Sequence, residues 1–156
     1  MSDTIRSSRL TGTELVVETR DGIKVYDSRF LVAALLVYVA RGSGRIEPEE
    51  SAEMIGLIEA HFKIQGAESL SLLTRAISEM ADDPELAGEL AKLGQSLADS
   101  EKEDIAVMAL KVIAADGRRE FAEMEHFNAA LAAIGASPEV IHRAFDRYFS
   151  ETMPGL

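Results

Sequence analysis

The stretch Val112-Ile113-Ala114-Ala115-Asp116-Gly117-Arg118-Arg119-Glu120-Phe121-Ala122-Glu123 has a counterpart earlier in the chain, Val39-Ala40-Arg41-Gly42-Ser43-Gly44-Arg45-Ile46-Glu47-Pro48-Glu49-Glu50. A constant offset of 73 residues carries Ser43, Gly44, Glu47 and Glu50 onto Asp116, Gly117, Glu120 and Glu123. Each copy closes an apolar helical run, turns on a small or polar residue and a glycine, and opens a new helix with two glutamates three apart. Residues three apart share a helix face, and acids in a first turn meet the positive end of the helix dipole. The repeat predicts a duplicated helix–loop–helix unit with an acidic turn in each copy. It names no reaction.

Working outward, every period from Asp27 to the end is helical. Asp27 or Ser28 caps a first helix that runs to about Arg41, where Gly42-Ser43-Gly44 stops it. Pro48 suits the first turn of a second helix, with Met54, Leu57, Ile58, His61 and Phe62 as its stripe. A third spans 67–80, and Asp83-Pro84 starts a fourth that buries Leu86, Leu90, Leu93 and Leu97. Ser100-x-x-Glu103 reads as a capping box for a fifth, apolar nearly all round from Ile105 to Ala115 and therefore central. A sixth carries Phe121, Met124, Phe127, Leu131 and Ile134 and ends at Gly135. Ser137-Pro138 opens a seventh, whose stripe is Val140, Ile141, Ala144, Phe145, Tyr148 and Phe149. Upstream, residues 13–26 are rich in Val, Ile and Thr and centre on Asp21-Gly22, a two-residue hairpin signal. Residues 1–9 are polar and read as a frayed end. The expected fold class is all-α, about seven helices in two pseudo-symmetric halves over 28–156, with a tail and small β-hairpin over 1–27.

Composition narrows the function. The 156 residues suit one domain, and the net charge of −11 repels phosphate backbones and anionic lipid. Nucleic acid is therefore set aside, and divalent cations or basic protein surfaces are the natural partners. The chain has no cysteine, which removes disulfides, thiolate zinc sites and cysteine nucleophiles and fits a reducing, cytoplasmic setting. The longest apolar run, Phe30 to Ala40, has eleven residues, about half of the ~20 that span a bilayer. It reads as a buried core helix, and no membrane insertion is expected.

Two nearly all-apolar helices, each followed by a glycine turn and a carboxylate-led helix, resemble the TerB-like relatives of the tellurite-resistance TerB family. The matching residues are VYVARGSGRIEPEE in the first half and VIAADGRREFAEMEHF with LAAIG in the second, and the resemblance covers about 28–150. The Ala-Asp-Gly turn with Glu123 seven residues after Asp116 is its most recognisable phrase. The resemblance implies a multihelical fold of two halves, an association with tellurite and other stress responses, and metal binding by the acids near the turns. The first half departs from the pattern, with Ser43 in the aspartate position between Arg41 and Arg45.

The candidate metal ligands are accordingly Asp116, Glu120 and Glu123, with Glu47 and Glu50 as their first-half equivalents. Hard cations such as Ca²⁺, Mg²⁺ or Mn²⁺ need several converging oxygens; Zn²⁺ is the weaker candidate. The competing reading is helix capping alone, because Asp-Gly is ordinary turn chemistry and first-turn acids stabilise a helix by about 0.3–1 kcal/mol each. Arg118 and Phe127 stand where an EF-hand loop counted from Asp116 needs oxygen ligands, so that motif is excluded. Glu123-x-x-His126 and Glu139-x-x-His142 carry di-iron spacing, yet both histidines fall off the apolar stripes and are expected to face solvent. His61, on its stripe, is expected to be a core or boundary histidine satisfied by a carbonyl. No nucleophile elbow or phosphate loop is present.

The function expected is a non-enzymatic stress-response module that binds a partner protein, modulated by a divalent cation at the second acidic turn. Two alternatives stay open: a metal-dependent enzyme acting on a small anionic substrate, and a purely structural interaction module. Self-association is also open. Partner binding predicts an exposed apolar patch around the hairpin or the 153–156 tail.

Overall fold

The computed structural model describes residues 5–11, 14–20, 22–41, 46–82, 86–115 and 121–152. Three strands, β1 (Ile5–Thr11), β2 (Glu14–Thr19) and β3 (Gly22–Asp27), lead into seven helices among the described residues. These are α1 (Ser28–Ala40), α2 (Pro48–Phe62), α3 (Ala67–Asp82), α4 (Leu86–Gln95), α5 (Asp99–Ala114), α6 (Phe121–Ala133) and α7 (Pro138–Thr152).

The expected hairpin is a three-stranded antiparallel meander in the order β1-β2-β3. Residues 5–9, read from sequence as frayed, belong to β1 and pair with β2, Arg9 opposite Val16 and Leu10 opposite Leu15. Their polarity hid the strand. A strand at a sheet edge has one side in water and is kept polar to discourage further pairing. Leu15, Val17 and Tyr26 join the same buried cluster as the helices, so the sheet's inner face closes over the helical core.

Helices α1 and α5 are buried on nearly every side, which their continuous apolar sequences dictate. Asp27 caps α1, its Oδ1 accepting from the Phe30 amide at 3.1 Å. The pairings then repeat. α1 packs against α2 and α3 as α5 packs against α6 and α7, and across the halves α2 meets α5 while α6 meets α1. Among the described residues α4 and the sheet have no counterpart in the second half; α4 lies on α6 as well as on α1.

One expected cap does not form. α5 starts at Asp99 with Ala98 as its N-cap and no side-chain cap bond, so Ser100 and Glu103 are not a capping box. Glu103 turns instead to α7, where it receives Arg143 Nε and Arg147 at 2.9 Å each. Two guanidinium partners, each a charged donor, outcompete the single backbone amide that a cap would offer this carboxylate. Ser137 does cap α7, accepting from the Val140 amide at 3.2 Å. Asp83-Pro84 and the 153–156 tail lie outside the described residues.

Candidate functional site

Glu50 lies in the first turn of α2 and is fully buried. It heads a line of inward residues one turn apart, followed by Met54 and Ile58, so helix geometry drives the carboxylate into the core. Capping accounts for one of its oxygens: Oε1 accepts from the Glu47 amide at 3.0 Å. The other, Oε2, is buried and makes no hydrogen bond. A buried ionised oxygen without a positive partner or donor costs several kcal/mol. Local capping therefore explains half of this carboxylate and leaves the other half unexplained.

Glu123 occupies the equivalent place in α6 and is also fully buried, with Phe127 and Leu131 continuing its line. Each acid-bearing helix packs on both central helices, α1 and α5. Both glutamates thus enter the core from the starts of equivalent helices. Glu47 is the half-buried N-cap of α2, and its carbonyl accepts from the Glu50 and Ser51 amides at 3.0 Å. Asp116 and Glu120 lie outside the described residues. Among the described residues no group of three or more His, Asp or Glu is placed to hold a metal ion.

Two histidine expectations are corrected. His126 does not face solvent: Nδ1 lies 2.8 Å from the Tyr38 carbonyl, and its ring stacks on Tyr38 with centroids 4.5 Å apart. Positions 123, 127 and 130 around it are all buried, so the packing of α6 on α1 draws 126 into the seam between the halves. His61 is exposed rather than in the core or at its boundary, edge-on to Phe62. Its equivalent, Ile134, is buried because α4 covers it. His142 is exposed, as expected, 3.4 Å from Asp146.

Three further features lie apart from the acidic turns. The first is an ionic latch holding α7 to α5. Arg147 reaches Asp104 at 2.7 Å and Glu103 at 2.9 Å, and Lys111 reaches Glu151 at 2.9 Å. The Arg147 and Arg143 guanidiniums hold the Glu103 carboxyl below its usual range, and Lys111 does the same for Glu151. The spacing of Arg143 and Arg147 was its only sequence signal. The second is the apolar surface expected at the hairpin: Ile23, 65% exposed, and Val25, 43% exposed, on the outer face of β3; Leu70 on α3 is separately 56% exposed. The third is an apolar groove of about 190 Å³ between α4 and α6, floored by α1. No helix among the described residues is long and apolar enough to cross a membrane.

The family model described as tellurite resistance protein TerB matches residues 29–146. No match was found to a curated protein or to a solved structure.

Proposed function

The chain belongs to the TerB family of tellurite-resistance proteins, and from this we propose that it is a non-enzymatic stress-response module that binds a partner protein under the control of a divalent cation. The observation that carries the cation is the pair of fully buried glutamates at equivalent positions, Glu50 and Glu123, with Glu50 Oε2 lacking a hydrogen bond. Helix capping does not require burial of that oxygen, whereas a hard cation takes carboxylate oxygens as ligands. Asp116, Glu120 and Glu47 are the acids that sequence adds to the set. A cation there would neutralise charge at the starts of α2 and α6 and fix how those helices sit on α1 and α5. The exposed Ile23, Val25 and Leu70 supply apolar surface for a partner.

The test is thermal unfolding with Ca²⁺, Mg²⁺, Mn²⁺ and Zn²⁺ after chelator treatment. At a hundredfold excess over Kd, binding adds about 2.7 kcal/mol, a rise of roughly 5–10 °C for a domain of this size. Glu50→Gln and the double variant Asp116→Asn with Glu123→Gln should each abolish the rise. An unchanged melting temperature with every ion at millimolar concentration would sink the cation reading.

A further inference from the structure

We infer that the groove between α4 and α6 docks a basic amphipathic helix of a partner protein. The inference rests on the partner-binding reading and assigns it a surface and a chemistry. The floor is one face of α1: Leu31, Leu35 and Tyr38 follow one another at helical spacing, about 10 Å from first to last at 1.5 Å per residue. Two turns of a visiting helix, with apolar side chains at i, i+3 or i+4, and i+7, match that length.

The walls explain why the groove is open. Ala129 and Ala133 of α6 and Gly88 of α4 all line it and all are exposed. At one end the walls meet, where Gly94 lets α4 close onto Ile134; a Cβ there would collide with that side chain. Gly88, six residues earlier on the same helix, has no such reason within the chain. Apart from its chain neighbours and its own helix backbone, no atom lies within 4 Å of where its Cβ would be. One glycine closes the helices together and the other keeps the wall low.

Charge selects the occupant. The exposed charge on α6 is Glu125, since Glu123 is buried, and the helix has no Lys or Arg. Glu125 is exposed one turn before Ala129, and exposed Asp82 ends α3 beside Met80, which lines the groove. The one cation on α4, Lys92, is held by Glu89 at 2.8 Å. With a net charge of −11 on the whole chain and exposed Glu125 one turn from the wall, this apolar groove suits Lys and Arg flanking an apolar stripe. A second copy of the chain would bring like charge to it. A helix also suits the walls better than a strand, because helix walls offer no unpaired backbone edge.

The test uses the full chain and fluorescence anisotropy with three labelled 16-residue probes: a Leu/Lys amphipathic helix, its scrambled isomer of equal composition, and its Leu/Glu analogue. The amphipathic probe should bind at least about tenfold tighter than the scrambled one, the scale of a single anchored side chain. Ala129→Phe with Ala133→Phe, at two exposed wall positions, should erase that preference. Ala60→Phe, at the exposed first-half equivalent of Ala133, should leave it intact. Circular dichroism checks that each variant is folded. Equal binding of the scrambled probe, indifference to the filled groove, or preference for the Leu/Glu probe would overturn the inference. So would a dimer in sedimentation that Ala133→Phe dissolves, since the groove would then belong to a second copy. A cation-dependent melting rise without probe preference fails the docking and keeps the cation; probe preference unaffected by chelator does the reverse.

Discussion

Glu50, Met54 and Ile58 enter the core from α2, and Glu123, Phe127 and Leu131 enter it from α6; all six are 0 or 1% exposed. The third helices of the two halves are held quite differently. α3 lays Arg75 over the rings of Tyr26 and Phe30, and Tyr26 donates to Glu79 at 2.7 Å. α7 is held by ion pairs from Arg143 and Arg147 to Glu103 and Asp104. Phe30 and Glu103 are the same position of the repeat, one under a cation–π contact and the other in a salt bridge. Inward positions have to satisfy a shared geometry of close-packed helices, and a change there leaves a cavity or a clash. Positions that face the third helix have to keep that helix attached, and a buried ring under a guanidinium or a carboxylate in an ion pair both do that.

The comparison breaks most visibly if the two inward lines are unequal. Phe127→Ala should cost about 3–5 kcal/mol and Met54→Ala about 2–5 kcal/mol, read by urea unfolding. A near-silent change in one half would mean that its line is not a true core. The asymmetry introduced by α4 comes next. Gly94→Ala should destabilise by about 1–3 kcal/mol because its Cβ meets Ile134. Gly88→Ala, with open space around it, should instead stabilise the helix by about 0.5–1 kcal/mol. Equal effects would remove the distinction between the closed and open ends of the groove.

The smallest effect sharpens the contrast between the third helices. Arg147→Ala should cost about 1 kcal/mol or less, since Arg147 is 40% exposed and solvent screens it. Glu103 and Glu151 titrate below their usual range when folded, so they add stability above the ordinary glutamate range and lose it as pH falls through their lowered values. The wild-type acid limb should therefore steepen below the ordinary range, and Arg147→Ala should flatten it. Salt should weaken α7's attachment more than α3's. Identical pH profiles for wild type and variant would show that the latch contributes nothing to folding.

Much of the fold was legible because the signals were local. The 73-residue offset set the two halves in register, and Asp27 and Ser137 cap the helices they were assigned. The burial of Glu50 and Glu123 was also legible in principle, since each stands one turn before Met54 or Phe127 on the apolar line. Their acidity pointed instead to capping, and at Glu50 that accounts for one oxygen. β1 was missed because its polar residues carry no apolar alternation. Glu103 was misread because capping-box spacing does not reveal a competing arginine 40 residues away.

Sequence alone determined the family, the helical class and the duplicated unit, because periodicity, caps and turns are encoded within a few residues of one another. Tertiary structure decided which faces meet. α4 covers Ile134 of α6 and leaves the equivalent His61 of α2 exposed, His126 is drawn onto Tyr38, and the gap beside Gly88 becomes a groove. These outcomes depend on contacts between helices far apart in the chain, where the packing of whole surfaces outweighs the preference of any single residue.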